Sequence, residues 1–138
     1  MLGRTADVGF ELGASTLEGL FEEARRALLM VAFERPPREA GEDEREIELS
    51  APERETLLVR WPNEVVYLVQ DAGFVPTRGR VRLRETEGAG LSLGASLAGA
   101  PVLPEEHGWQ GEIKSATFHE LDVSRDREGW HARVILGV

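Results

Sequence analysis

Apolar and polar residues alternate with period two over residues 4–12, RTADVGFEL: Ala6, Val8, Phe10 and Leu12 fall on one side, and Thr5, Asp7, Gly9 and Glu11 on the other. That is the pattern of a half-buried strand. After Gly13 the period changes. Leu17, Leu20, Phe21, Ala24, Leu28 and Val31 recur at helical spacing and predict a helix over 16–33, opened by a Ser15-Thr16-Leu17-Glu18 capping box. Residues 34–44, ERPPREAGEDE, read as a surface loop, and REIELSA (45–51) as a short strand with Ile47 and Leu49 inward. Pro52 suits the first turn of a second helix, about 53–71, on which Leu57, Leu58, Trp61, Val65, Leu68 and Val69 share a face. Pro62 in its interior removes a hydrogen bond, at a cost of about 3 kcal/mol, and predicts a kink or division near Leu58–Pro62.

The second half of the chain is strand-like throughout. Candidate strands are 78–85, 90–99 (with Leu91, Leu93, Ala95 and Leu97 aligned), 111–124 and 130–138, with a proline-containing loop, APVLPEEHGWQ, before the third of these. The polar segment SRDREGW (124–130) predicts that the last two strands form a hairpin. The order β-α-β-α-β-β-β-β predicts an α+β fold: two helices packed on a mainly antiparallel sheet, in a single two-layer domain spanning 1–138.

Composition narrows the class. The 138 residues are 41% hydrophobic and 30% charged, as in an ordinary globular domain. No apolar run is long enough to cross a bilayer, and MLGRTADVG lacks a secretory layout, so the cytoplasm is the expected location. The absence of cysteine excludes disulfides, thiolate nucleophiles and zinc–thiolate sites. A net charge of -9 argues against strong general binding to nucleic acid. Within that acidic chain, Arg78, Arg80, Arg82 and Arg84 alternate with Val81 and Leu83 and share one side of a strand. They are either a charged outer face or a docking surface for a phosphate or an acidic partner.

Signatures of common enzymes are missing: there is no P-loop, dinucleotide fingerprint, H-E-x-x-H or G-x-S-x-G. What stands out is local inconsistency. Asp7 is a poor strand residue in mid-strand, and such conflicts are tolerated at functional sites. Of sixteen basic residues all but Lys114 are arginine, which singles out the one compact, titratable ammonium. His119 suits either a site or a strand surface.

Four ordered stretches carry a resemblance. Thr5-Ala6-Asp7-Val8-Gly9, followed by a helix with Leu20-Phe21-Glu22 and Ala24, is similar to the opening of the archease family. Trp61-Pro62-Asn63-Glu64-Val65-Val66-Tyr67-Leu68 resembles that family's W-L-N-E-L-L-Y-L helix. Ile113-Lys114-Ser115-Ala116-Thr117-Phe118-His119-Glu120-Leu121 resembles its I-K-A-V-T-Y-H-x-L strand, and Trp130-His131-Ala132-Arg133-Val134-Ile135-Leu136 its closing strand. The resemblance runs colinearly over nearly the whole chain. It implies an accessory protein of an RtcB-type RNA ligase, which joins spliced tRNA halves or repairs RNA using GTP and a divalent metal. Such a protein promotes ligase guanylylation and repeated turnover without being a ligase itself. It further implies that Asp7, Lys114 and His119 serve partner activation. By the same resemblance, Asp7 and the Val138 carboxylate are oxygen ligands for Ca²⁺, Mg²⁺ or Mn²⁺.

The chain departs from the family pattern at three places. Gly137 replaces the usual penultimate aspartate, which weakens the metal site by one charged oxygen; Arg4 replaces a histidine, and Pro62 a helix leucine. Two other functions remain open: a metal-independent scaffold or chaperone-like modulator of RNA processing, and a metal-dependent hydrolase, for which no nucleophile–base pair is visible.

Overall fold

The computed structural model describes residues 7–37, 41–86, 88 and 90–138, with positions 7 and 118–120 described by backbone alone. The elements are β1 (Asp7–Ala14), α1 (Leu17–Ala32), β2 (Asp43–Ala51), α2 (Arg54–Gln70), β3 (Phe74–Thr86), β4 (Gly90–Pro101), α3 (Pro104–His107), β5 (Ser115–Asp126) and β6 (Gly129–Gly137). The class is α+β, as the element order predicts. The strands nevertheless divide between two antiparallel sheets, β1-β6-β5 and β2-β4-β3, where one sheet was expected. Both sheets use the same helix pair: α1 packs on β1, β6 and β3, and α2 on β5, β3, β2 and β4.

Helix α1 forms where the 3.6-residue period places it, and buries Leu20, Phe21, Ala24, Leu28, Leu29 and Ala32. Its cap lies one residue later than the predicted box. Thr16 is the N-cap and accepts a hydrogen bond from the Gly19 N–H at 3.0 Å, so Glu18 stands at the second helical position, too early to close a box back onto Thr16. Helix α2 runs unbroken through Pro62, which is itself buried, so the helix is not divided there. Pro62 offers no N–H to the Leu58 carbonyl, and burial of its neighbours on one face offsets that loss. Trp61 is completely buried, and its Nε1 donates to the Phe21 carbonyl at 2.7 Å, tying α2 to α1. A side chain of that size contributes about 3 kcal/mol through burial, and its one polar atom is satisfied.

The predicted strands are present with shifted ends. β3 starts at Phe74 rather than 78, and a bulge between Pro76 and Arg78 reverses the phase of its alternation. The two-residue turn Arg127-Glu128 closes the predicted β5–β6 hairpin. Inside the predicted loop, Pro104–His107 forms a single helical turn ended by Gly108 at φ 69°, a left-handed conformation that suits glycine.

Candidate functional site

The register of β1-β6-β5 brings distant segments of the chain together at one end of that sheet. Asp7 pairs with Gly137, and Gly137 pairs with Ser115, so positions from both ends of the described chain and from β5 share a row. Lys114 lies just outside β5 rather than within it. Its backbone N–H donates to the Gly137 carbonyl at 2.7 Å, and its side chain is exposed. Val138 follows directly and is half-buried against the core.

Two side-chain amides of α2 hold the segment that carries Lys114. Ile113 N–H donates to Gln70 Oε1 at 2.7 Å, and Gln70 Nε2 returns a bond to the Ile113 carbonyl at 2.9 Å. Ala116 N–H donates to Asn63 Oδ1 at 2.6 Å, and Asn63 Nδ2 reaches the Ala116 carbonyl at 3.4 Å. The geometry is commensurate. Seven residues of helix rise about 10 Å, and three residues of extended chain span about 10 Å, so Asn63 and Gln70 meet Ala116 and Ile113 in register. Residues 113–116 are therefore bonded to α2 on one side and to β6 on the other. Asn63, Gln70, Glu112, Lys114, Ser115 and the half-exposed Tyr67 line one open depression over this segment.

Sequence reasoning did not single out Asn63 or Gln70. Asn63 lies within the W-P-N-E stretch, and Gln70 sits on the flank of α2, beside its apolar face. His119 does not join the Asp7 row. Thr117 pairs with Ile135 and Asp122 with Arg133, which leaves positions 118–121 opposite Val134 alone. His119 thus falls in an irregular stretch of β5, separated from the Gly137 row by the Leu136 and Ile135 pairs. Arg4 and the side chains of Asp7 and His119 lie outside the described residues.

Among the described residues, the Asp7 end offers few oxygens to a hard cation. Gly137 supplies no side-chain oxygen, and its carbonyl already accepts from the Lys114 backbone N–H. A Ca²⁺ or Mn²⁺ ion takes six or more oxygens, so the expected Asp7 and Val138 ligands would need others beside them. Among the described residues, the group that could hold a metal is Asp126, Glu128 and His131, whose ligand atoms lie within 4.8 Å of one another. It sits at the opposite end of β6, on the hairpin turn, and its members already bond one another. Asp126 Oδ1 accepts from the Glu128 N–H at 2.8 Å and lies 3.1 Å from His131 Nε2. Those contacts, the Glu128 N–H first and the His131 ring next, hold the exposed Asp126 carboxyl below the usual carboxylate range.

The archease protein family (MTH1598/TM1083) matches the chain over residues 1–138. An archease of Methanosarcina acetivorans is 35% identical over 138 residues, covering 99% of this chain and 93% of that protein. One from Thermococcus kodakarensis is 32% identical over 132 residues, covering 95% and 92%. The solution structure of Methanobacterium thermoautotrophicum protein 1598 is similar at a TM-score of 0.74 and 29% identity, over 99% of this chain and 96% of that one. A crystal structure from Thermotoga maritima, described as an archease and possible chaperone, shares the fold at a TM-score of 0.66 and 22% identity, over 100% and 95%.

Proposed function

This chain belongs to the archease family, and from that premise we propose that it is an accessory protein of an RtcB-type RNA ligase. It promotes GTP-dependent guanylylation of the ligase and repeated turnover in tRNA splicing or RNA repair. It acts by protein–protein contact in the cytoplasm, as one archease-like domain over 1–138. The reading is carried by one observation: the four sequence stretches that resemble the family meet at one place. The Asp7 strand and the closing strand pair at Gly137, the Lys114 segment bonds the same residue, and Asn63 of the tryptophan-containing helix fastens that segment from behind.

On this reading Asp7 and Lys114 form the contact point for the ligase, with the exposed Tyr67 at its margin and His119 further along β5. An aspartate and a lysine can together address a metal–phosphate group, the carboxylate the cation and the ammonium the anion. On this reading such a metal belongs to the joint site with the ligase, which supplies oxygens beyond those of this chain. The membrane has no part in the proposal: no helix among the described residues is long and apolar enough to cross one.

The test is to add the protein in substoichiometric amount to its cognate ligase with GTP and metal. Ligase–GMP formation and multiple-turnover joining should both accelerate, and Asp7→Ala and Lys114→Ala should lose most of the stimulation while remaining folded. Unchanged single- and multiple-turnover rates with wild-type protein would sink the proposal. Full stimulation by Asp7→Ala would make that residue merely structural.

A further inference from the structure

The outer face of the β2-β4-β3 sheet carries three stripes of different chemistry. Its register sets Glu44, Ala98 and Arg78 in one row, Glu46, Ser96 and Arg80 in the next, then Glu48, Gly94 and Arg82, and last Ser50, Ser92 and Arg84. One outer strand thus presents carboxylates, the central strand only small side chains, and the other outer strand only guanidiniums. All of these glutamates and arginines are exposed. Arg82 turns across the floor, lying 3.9 Å from Glu46 and donating to Ser96 Oγ at 3.2 Å. Among the described residues, the side chains of Arg78, Arg80, Arg84, Glu44 and Glu48 have no ion-pair partner.

We infer that this face is a self-association surface on which a second copy of the chain docks face to face, about a two-fold axis parallel to the strands. Symmetry selects the occupant. Rotation about that axis exchanges the two edges of the sheet and preserves the level of each row. It therefore sets β3 of each copy over β2 of the other, placing Arg78 against Glu44, Arg80 against Glu46 and Arg82 against Glu48, and each pairing occurs twice. An axis across the strands would stack arginine on arginine. The floor of Ser92, Gly94, Ser96 and Ala98 lets the sheets approach to about 10 Å, a gap that an arginine and a glutamate side chain span together.

A phosphate chain would satisfy the arginine stripe alone. It would run within about 10 Å of a parallel row of carboxylates, two strand spacings away, on a chain whose net charge is -9. A second copy satisfies both stripes. The matched area is about 20 Å by 15 Å, small for a specific interface, and its ion pairs are exposed at the rim, so the association is weak and sensitive to salt.

Sedimentation velocity over a concentration series, at low and high salt, tests the inference with wild-type protein and two double variants. These are Glu44→Arg/Glu46→Arg and Arg78→Glu/Arg80→Glu, all at exposed positions, with circular dichroism confirming the fold. Wild-type protein should move towards twice the chain mass at low salt and return to the monomer at high salt. Each variant alone should remain monomeric, and an equimolar mixture of the two should recover the dimer, because each face then meets its opposite. A wild-type chain that stays monomeric throughout, or variants that associate as wild type does, would overturn the inference. So would a monomer that binds a single-stranded RNA oligonucleotide through Arg78 and Arg80, which would make the stripe a phosphate surface.

Discussion

Replacing Gln70 with leucine isolates the clamp on the Lys114 segment. Leucine matches glutamine in helix propensity and lacks only its terminal amide atoms, so the change reads mainly the two hydrogen bonds. At 2.7 and 2.9 Å both are well formed, and Ile113, whose N–H and carbonyl they satisfy, is only 3% exposed. Each backbone group left without a partner costs about 1–3 kcal/mol, and water reaching this half-buried edge recovers part of that. The net loss should be about 2 kcal/mol, or about 6–10 °C in melting temperature for a domain of this size. Urea titration should show a lower midpoint with an unchanged slope, since little new surface is exposed. Gln70→Glu provides the control. At neutral pH the introduced carboxylate still accepts from the Ile113 N–H but cannot donate to the carbonyl, so the loss should be smaller; in acid the protonated carboxyl can donate again. A loss below about 0.5 kcal/mol for Gln70→Leu, within the range of ordinary surface changes, would refute the idea that the clamp holds residues 113–116.

Three further outcomes follow from the structure. Among the described residues, a Cβ at Gly137 meets nothing closer than the Ser115 carbonyl at 3.8 Å and Lys114 Cβ at 3.9 Å, so Gly137→Asp should fold normally and bind Ca²⁺ or Mn²⁺ more tightly by isothermal titration; equal affinity in the unmodified protein would show that another acid completes the site. Pro62→Leu restores an N–H to the Leu58 carbonyl and should raise the melting temperature; a fall would mean that packing of the buried ring outweighs the missing bond. The Asp126 carboxyl titrates lower in the folded chain than in the unfolded one, so its stabilisation is present above the unfolded value and disappears as pH falls through the folded value. Asp126→Asn should therefore lower the melting temperature at neutral pH, with the difference closing in acid; a difference independent of pH would exclude this origin.

Helices were legible in the sequence because their signal is local: the apolar periods of α1 and α2 predicted Leu20, Phe21, Ala24, Leu28, Trp61 and Val65 as core, and all are buried. Alternation likewise marked β1 and the arginine strand. Phe74-Val75-Pro76 was missed because a bulge reverses the phase just after it, so the run never reads as one alternating strand. Had the register continued without the extra residue, Arg78 would have faced Leu97 and the core. A buried Arg25 helps to hold this point: its Nη1 donates to the Pro76 carbonyl at 2.8 Å, and its Nε fits under Gly79, where a Cβ would stand 3.3 Å away. Division into two sheets was not legible either, since partner choice between strands more than a hundred residues apart leaves no local pattern. At the candidate site, Asp7 and Lys114 stood out as residues at odds with their surroundings. The amides of Asn63 and Gln70 did not, because an amide on a helix flank looks the same whether it faces water or a neighbouring backbone.

The pairing of β1 with β6 also bears on how the chain assembles. β2, β4 and β3 follow one another closely and can close with both helices through contacts of modest sequence separation. β1 is made before the other elements, but among the described residues its one sheet neighbour is β6, the last of them in chain order, and the intervening loop makes that closure the costliest one. During synthesis β1 must therefore wait with an unpaired edge, and β5 can complete its own pairing only when the hairpin turn has passed. The row containing Asp7, Gly137 and Ser115 exists only after that final closure. A chain that has not yet made β6 lacks the end at which its ligase contact is proposed.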